Sequence, residues 1–371
     1  MKSVTFIIPN LWMGGAENAL IILANEWVKT ANISIITFDT GETFFEIDPR
    51  VKVIPLDTTT HKYGFLSPLI NGIKRLRRLP AAISKTSPDV TMAVMDTSIM
   101  WTFFSRFHTK VPLVMVFQIT PAKPIIRSFF RPLIKVLYQK ADGAVLLTQS
   151  MENVFKQLKI KLPEKIFVIP NPLSKASISE GELKREDVIL GVGRLKDQKQ
   201  FDLLIKIFHR LQPTHWQLWI VGDGENRKQI EKLIRDYDLG DKVLLVGAQT
   251  DVRDYYARAK VFALSSSHEG FPLVLCEAMS NGCACISYDC ETGPSDIIRH
   301  RFDGLLIEDQ NHDSFVEQLG VLINDPEQMS SYSEKARTLF DKVNIENLIS
   351  KWDAVVESVL DLKAQSKTAT P

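Results

Sequence analysis

The sequence of 371 residues has few cysteines and no long hydrophobic run, and both absences exclude classes of protein. Its four cysteines all lie between residues 276 and 290, at spacings of neither paired zinc ligands nor a disulfide framework. We therefore expect buried free thiols. The longest uncharged stretch, residues 3–16, is interrupted by Pro9 and a glycine pair. It is too short for a membrane span, and it lacks the pattern of a signal peptide. These features predict a cytoplasmic protein.

The composition is typical of a folded soluble protein. The chain is 45% hydrophobic and 24% charged, which excludes disordered and collagen-like classes. Its length is about twice that of an ordinary domain, which favours two domains.

A net charge of +1 hides an uneven distribution. Residues 1–171 carry 21 basic and 12 acidic residues, whereas residues 172–371 carry 24 and 32. The basic residues concentrate between positions 69 and 140, in the run 74–78 and at Arg127, Arg131 and Lys135, which share one side of a predicted helix. This pattern favours contact with an anionic membrane surface, although a solvated helix face would look similar. We expect no nucleic-acid partner, because the stretch lacks a recognised nucleic-acid-binding module.

Short β-branched runs alternate with helical segments along the whole chain, which predicts an α/β fold with two Rossmann-like domains. The predicted strands of the first domain are residues 4–8, 33–38, 90–95, 111–117, 143–147 and 165–169. Those of the second are residues 188–192, 217–221, 242–246, 261–264, 284–288 and 304–307. We expect an N-terminal domain (1–171), a linker (172–186), a C-terminal domain with terminal helices (187–362) and a flexible tail (363–371).

Two glycine-containing loops follow predicted strands and open helices, where backbone N–H groups favour an anion. The first contains Gly14 and Gly15; its spacing differs from the dinucleotide-binding pattern, and taken alone the glycine pair is also typical of a plain tight turn. The second contains Gly193 and Arg194, followed by Lys199. Two cations beside a helix start are unfavourable unless an anion neutralises them, so this loop indicates a diphosphate site.

Two glutamates flank a further predicted helix start. Pro272 indicates that the helix begins there, which puts Glu269 in the preceding loop and Glu277 in the second turn. Ionised carboxylates accept hydrogen bonds from sugar hydroxyls, but carboxylates near a helix start are also ordinary partners of the helix dipole. The residues alone leave both interpretations open.

Taken together and in this order, the motifs resemble those of the retaining glycosyltransferases of family 4. They are Gly-Gly-Ala-Glu (14–17), Gly-x-Gly-Arg with a lysine five residues on, Gly-Asp-Gly (222–224) and two glutamates eight positions apart. The resemblance implies the GT-B fold, in which two Rossmann-like domains face each other across a cleft. Residues 38–44 and 95–97 look most like bacterial N-acetylgalactosaminyltransferases that extend polyprenyl-diphosphate-linked oligosaccharides.

The resemblance also implies roles for individual residues. Arg194, Lys199 and Glu269 would be catalytic, the two cations holding the donor diphosphate and the glutamate the donor sugar or its phosphate. The implied substrate-binding residues are Gly14, Gly15, Gln118, Gly193, Ala248, Gly270, Phe271, Pro272, Leu273 and Glu277. Among these, Glu277 would accept hydrogen bonds from the ribose hydroxyls, and the backbone at Ala248 would contact the base. Many family members have a histidine where this chain has Gln118, which can hydrogen-bond but cannot carry a proton.

The resulting prediction is a hexosyltransferase that works without a metal or cofactor. It would move a hexose or N-acetylhexosamine from a nucleotide-diphosphate sugar, with UDP as the expected nucleotide, to a lipid-diphosphate-linked glycan. Its basic N-terminal half would hold it peripherally at the inner face of the plasma membrane. Two alternatives are a nucleotide-sugar epimerase of the same fold and a non-catalytic nucleotide-sugar-binding protein. Asp236-Tyr237-Asp238 is interpreted as a polar helix end rather than a metal site.

Overall fold

The computed structural model describes residues 1–12, 14–40, 42–60, 66–119, 136–179, 181 and 184–368, with side chains up to residue 361. The chain forms two compact units. The first contains residues 1–172 and 345–371, and the second contains residues 173–344.

The first unit is built on a seven-stranded parallel sheet with the order β3-β2-β1-β4-β5-β6-β7. Its strands are β1 (Ser3–Ile8), β2 (Asn32–Thr37), β3 (Lys52–Pro55), β4 (Val90–Val94), β5 (Leu113–Val116), β6 (Gly143–Leu146) and β7 (Ile166–Val168). Its helices are α1 (Gly15–Trp27), α2 (Ser67–Thr86), α3 (Asp96–Thr109), α4 (Gln149–Gln157) and α13 (Ile345–Thr368). Side chains of β1 are buried on both faces of the sheet, as expected of a parallel strand covered by helices on each side.

The second unit has a six-stranded parallel sheet with the order β10-β9-β8-β11-β12-β13. Its strands are β8 (Glu186–Val192), β9 (Gln217–Val221), β10 (Val243–Gly247), β11 (Ala259–Leu264), β12 (Ala284–Asp289) and β13 (Leu305–Glu308). Its helices are α5 (Phe201–Leu211), α6 (Arg227–Asp236), α7 (Arg253–Arg258), α8 (Leu273–Ser280), α9 (Pro294–Ile297), α10 (His312–Asn324), α11 (Pro326–Arg337) and α12 (Leu339–Val343). Helix α5 shows why the sequence folds this way, because Phe201, Leu204, Ile205 and Phe208 recur at helical spacing and are all buried.

The two Rossmann-like units and all twelve predicted strands are confirmed, and the four cysteines are free and buried as expected. Strand β3 was not predicted. The predicted basic helix through Arg127, Arg131 and Lys135 lies outside the described residues.

The end of the chain differs from the prediction. Assigning all terminal helices to the second domain is wrong, because α13 packs on the first unit, where Trp352 and Val356 join the core around Phe6 and Trp27. The indole of Trp27 also donates to Asp353, at 3.0 Å. A flexible tail from residue 363 is likewise wrong up to residue 368, since α13 continues to that point. Residues 369–371 lie outside the described part of the chain.

The predicted linker is also part of a folded unit from residue 173 onward. The N–H of Leu173 donates to the carbonyl of Val343 at 2.8 Å, and the N–H of Ser179 donates to the side chain of Asn281 at 2.8 Å. These contacts hold the segment against the second unit.

Candidate functional site

The residues predicted to bind the donor, together with the Gly-Asp-Gly loop (222–224), follow four neighbouring strands of the second sheet. Gly193 and Arg194 follow β8, Asp223 follows β9, Ala248 follows β10, and Glu269 lies in the loop after β11. Parallel strands end at the same edge of a sheet, which is where ligands bind in open α/β folds. The topology therefore gathers loops that are distant in sequence at one edge.

Two glycines let the loops after β8 and β9 touch through their backbones. Gly193 and Gly222 both have positive φ angles, of 154° and 142°. A Cβ on Gly222 would lie 2.0 Å from the carbonyl oxygen of Gly193, which no side chain tolerates. The N–H of Gly193 donates to Val221 and that of Leu195 donates to Asp223, each at 3.0 Å. The backbone beside Arg194 is therefore fixed by contacts that require glycine.

The predicted catalytic pair Lys199 and Glu269 is brought together across 70 residues of sequence. The Nζ of Lys199 lies 2.6 Å from Oε1 of Glu269, and the two side chains are only 14% and 8% exposed. Two further bonds hold their loops together, from Gln198 to the carbonyl of His268 and from Ser265 to the carbonyl of Lys199, each at 2.7 Å. The ion pair is thus nearly buried and rigidly supported.

A third cation belongs to the same loop. Burial lowers the pKa of Lys196, and so do the positive charges of Arg194 and Lys199. Glu269 and Glu225 oppose that effect only in part. The positive potential felt at Lys196 favours an anion, and the sequence motif could have pointed to this residue, since it lies between the two predicted cations.

Glu277 lies on α8 and accepts a hydrogen bond from the hydroxyl of Tyr256, at 2.8 Å. Burial raises the pKa of Glu277 to about 7, and the bond from Tyr256 lowers it only in part. This carboxyl therefore holds a proton over part of the neutral range in the unliganded protein. Tyr256 is fully buried, and no sequence motif signalled its role.

The segment from Gly270 to Leu273 is buried and leads into α8. The loop after β12 holds it in place. The hydroxyl of Thr292 donates to the carbonyl of Glu269 at 2.6 Å, and a Cβ on Gly293 would lie 2.8 Å from Pro272. Thr292 and Gly293 stand in no sequence motif that signals this role, because their contacts are made only in the folded unit.

In the first unit, Gly14 precedes α1 in an extended conformation and Gly15 is its first residue. A Cβ on Gly14 would lie 2.2 Å from a carboxylate oxygen of Glu17, so any larger residue would require that side chain to move. The Gly14–Gly15 turn thus lies at the carboxyl end of β1, where a Rossmann-like sheet presents its ligand edge.

Gln118 follows β5 and forms a reciprocal amide pair with Asn171. Its Nε2 donates to Asn171 at 3.2 Å, and Nδ2 of Asn171 donates back at 2.8 Å. Asn171 is buried, so the pair fixes the orientation of Gln118. The binding role of Gln118 stays a prediction.

Within the residues that the structure describes, no three His, Cys, Asp or Glu side chains come together as metal ligands. Asp236 ends α6, where its carboxylate lies 3.9 Å from the ammonium of Lys232. Over the same residues, no helix has the length and hydrophobicity needed to cross a membrane.

Two protein-family models match the chain one after the other. The model described as Glycosyltransferase Family 4 matches residues 13–176, and the model described as Glycosyl transferases group 1 matches residues 174–339. The division between them coincides with the boundary between the two structural units near residue 172.

Two relatives match over nearly their whole length. The chain is 32% identical to the N-acetylgalactosamine-N,N'-diacetylbacillosaminyl-diphospho-undecaprenol 4-alpha-N-acetylgalactosaminyltransferase of Campylobacter jejuni, over 93% of this chain and 97% of that protein. It is 28% identical to an uncharacterized glycosyltransferase of Haemophilus influenzae, over 96% and 100% of the two chains.

Solved structures share the fold. HepE of Anabaena, crystallised with UDP and glucose, superposes with a TM-score of 0.79 at 17% identity, covering 96% of this chain and 100% of HepE. A mutant of TarM of S. aureus, in complex with Fondaparinux, alpha-GlcNAc-glycerol and UDP, gives 0.78 at 16% identity, covering 96% and 100%. At these identities the likeness shows the fold alone.

Proposed function

Because the chain belongs to glycosyltransferase family 4 and has the GT-B fold, we propose that it transfers an N-acetylhexosamine or hexose from a UDP-sugar to a lipid-diphosphate-linked glycan. The transfer retains the anomeric configuration and serves cell-surface polysaccharide or glycoprotein biosynthesis. The acceptor class is supported by the Campylobacter jejuni relative, whose name describes a diphospho-undecaprenol substrate. UDP is supported by its presence in HepE.

The observation that carries the proposal is the positive loop 194–199 beside Glu269. A leaving diphosphate develops negative charge as the sugar–oxygen bond breaks. Arg194 offers a planar fork to its oxygens, and Lys196 and Lys199 add positive charge to the same loop. In this proposal the three cations stabilise the leaving group without a metal ion or another cofactor.

Retention requires attack from the face on which the diphosphate leaves. An acceptor hydroxyl oxygen bonds to the anomeric carbon, while the bond from that carbon to the diphosphate oxygen breaks. The hydroxyl proton passes to the departing phosphate oxygen, so atoms and charges balance. In this scheme Glu269, together with the start of α8, orients the donor sugar. Glu277 accepts hydrogen bonds from the ribose hydroxyls.

Donor binding can be tested first by thermal shift with UDP, GDP, ADP and their sugar conjugates. A ligand that binds only the folded state, at 100 times its dissociation constant, adds about 2.7 kcal/mol of stability. We expect UDP compounds to shift the melting temperature, and Arg194→Ala to abolish the shift. Arg210→Ala is the matched control, because Arg210 pairs with Asp313 at the exposed surface of the same unit.

Transfer is then measured by mass spectrometry with a polyprenyl-diphosphate-linked glycan as acceptor. An acceptor heavier by one sugar supports the proposal. Conversion of the sugar nucleotide without an acceptor would instead indicate an epimerase. Binding without any turnover over a full acceptor panel would indicate a nucleotide-sugar-binding protein.

A further inference from the structure

The strand order of the first sheet indicates where that unit binds a ligand. Strands β1 and β4 are neighbours, yet the chain continues from β1 to β2 on one side and from β4 to β5 on the other. In open α/β sheets, ligands bind outside the carboxyl ends of the two strands at which the order reverses. We call this place the β1–β4 crevice; residues 10–12 after β1 and residues 95–97 after β4 border it.

Trp12, on the β1 side of the crevice, presents a large aromatic side chain to solvent. It is 57% exposed, although tryptophan is highly buried on average. The N–H of Trp12 donates to the side chain of Asn10 at 3.1 Å. The preceding residue, Leu11, is fully buried and forms a parallel bridge with Thr43. The indole is therefore exposed on a backbone that local contacts hold in place.

On the β4 side, the carboxyl group of Asp96 lies half-buried at the first position of α3. It accepts a hydrogen bond from the hydroxyl of Tyr138 at 2.9 Å, and Tyr138 is only 2% exposed. Burial raises the pKa of Asp96, and the bond from Tyr138 opposes that effect in part. Because a carboxylate can accept about four hydrogen bonds, one tyrosine hydroxyl uses only part of its capacity.

The backbone just before Asp96 is strained. Met95 has a φ of 69° and a ψ of 153°, a combination that is used mainly by glycine. The N–H of Met95 donates to the carbonyl of Val116, and its own carbonyl accepts from the N–H of Ile99, at 3.1 Å each. Strained residues of this kind cluster at ligand sites and active sites. Here the strain determines where the chain enters α3 and therefore where the carboxyl group of Asp96 lies.

A simpler role for Asp96 accounts for less of the structure. A negative charge in the first turn of a helix is favourable without any ligand. That role requires neither a buried tyrosine as a partner nor a strained residue before the helix. It also leaves the exposed indole of Trp12, after the neighbouring strand, without an explanation.

An exposed aromatic ring and a carboxylate together match the chemistry of a sugar. A pyranose ring has an apolar face of C–H groups, which packs on an indole, and hydroxyls, which donate to carboxylate oxygens. An anionic ligand would be repelled by Asp96, and a purely apolar ligand would bury that carboxylate without new hydrogen bonds. The crevice therefore favours a neutral, hydroxyl-rich ring.

We propose that the β1–β4 crevice binds the terminal sugar of the acceptor glycan. The indole of Trp12 packs on the sugar ring, and the carboxylate of Asp96 accepts a hydrogen bond from one of its hydroxyls. Tyr138 is a positioning residue, because it holds that carboxylate without contacting the sugar. This inference rests on the proposed function, which takes the acceptor to be a glycan.

The first test measures glycan binding by calorimetry, without any transfer. The probes are water-soluble farnesyl-diphosphate-linked disaccharides that end in N-acetylgalactosamine, N-acetylglucosamine or galactose, and farnesyl diphosphate without a sugar. The wild type is expected to bind at least one disaccharide more tightly than farnesyl diphosphate. Trp12→Ala should weaken that binding at least about tenfold, because it removes the aromatic contact, and Trp12→Phe should restore most of it.

Deoxy analogues test the hydrogen bond to Asp96. Each analogue of the best-bound disaccharide lacks one hydroxyl of the terminal sugar. One of them should bind the wild type at least about tenfold more weakly than the parent, whereas Asp96→Ala should bind that analogue and the parent equally. Asp96→Asn keeps an oxygen for the Tyr138 hydroxyl and so protects the fold. Without the negative charge, it should still bind the parent at least about threefold more weakly.

Matched controls come from the same strand and the same helix. Asp89 precedes β4 as Asp96 follows it, is exposed, and accepts a bond from the N–H of Ser3 at 2.8 Å. Asp89→Ala should leave glycan binding unchanged, and so should Phe107→Ala, which removes an aromatic ring that is 82% exposed near the end of α3. Denaturant unfolding reports the fold of every variant. The thermal shift with UDP should be the same in all of them.

Failure of this inference and failure of the proposed function give different results. Equal glycan binding by Trp12→Ala, Asp96→Ala and the wild type would overturn the inference, whatever the transfer assay shows. A wild type that binds no disaccharide more tightly than farnesyl diphosphate would overturn it as well. Binding that depends on Trp12, with deoxy discrimination that depends on Asp96, supports the inference even when no sugar is transferred. In that case the absence of transfer from every nucleotide sugar would count against the proposed function alone.

Discussion

Replacing Glu277 with glutamine tests whether this carboxyl is protonated in the unliganded protein. Burial raises the pKa of Glu277 from its ordinary value of 4.5 to about 7. Folding therefore favours the protonated form, and the stability contributed by this group is fully present below pH 4.5 and is lost as the pH rises through 7. At high pH, ionised Glu277 costs at most about 3 kcal/mol of folding free energy.

The cost of ionisation differs between two convenient pH values. With the two pKa values above, it rises by about 2 kcal/mol between pH 5.5 and pH 8.5. Glutamine does not titrate and keeps an acceptor for the Tyr256 hydroxyl, so Glu277→Gln should become more stable relative to the wild type by that amount. Denaturant unfolding followed by fluorescence at both pH values measures the difference.

Two further variants sharpen the experiment. Glu317 is exposed on α10, so Glu317→Gln reports the general effect of removing one carboxylate from the same unit. Tyr256→Phe removes the hydrogen bond that lowers the pKa of Glu277, and should move the loss of stability to higher pH. An equal difference between Glu277→Gln and the wild type at pH 5.5 and 8.5 would refute the reasoning.

Two other side-chain pairs give further predictions. Lys199→Ala leaves the nearly buried carboxylate of Glu269 without its ammonium partner and should cost about 3 kcal/mol in denaturant unfolding. Lys206→Ala, which breaks an exposed ion pair in the same unit, should cost less than about 1 kcal/mol, and equal costs would contradict a special role for Lys199. Gln118→Ala leaves the buried amide of Asn171 unpaired and should lower turnover without changing the thermal shift with UDP. Unchanged turnover in that variant would remove Gln118 from the site.

The sequence was sufficient to predict the fold because strand and helix signals are local. Runs of β-branched residues at the sheet centres identify their strands, and the glycine loops mark the points where strands lead into helices. Strand β3 escaped prediction because its four residues are partly exposed at the edge of the sheet and form no long apolar run. The unit on which α13 packs could not be predicted. Its apolar side includes Trp352, which joins the core of the first unit, but the spacing of apolar residues along a helix does not say which core they enter.

The sequence predicted the individual residues of the candidate site, but it did not predict which of them contact one another. Arg194, Lys199 and Glu269 stand in motifs that the chain displays locally. Their contacts join residues far apart in sequence: 70 positions separate Lys199 from Glu269, and 53 separate Gln118 from Asn171. Only the parallel strand order brings such residues to one sheet edge, so partners such as Tyr256 carry no sequence signal of their own.

The basic run 74–78 shows that the number of charges in a helix does not tell which of them face solvent. All four cations contribute equally to the net charge of the first 171 residues, but on a helix they point in different directions. Arg75 and Arg78 turn toward the segment that follows β3, where they bind hydroxyl and carbonyl oxygens, whereas Arg77 is exposed and Lys74 is half-buried. Charge reversal at Arg75 or Arg78 would therefore damage the fold as well as any lipid contact. Only variants at Lys74 and Arg77 separate membrane binding from stability.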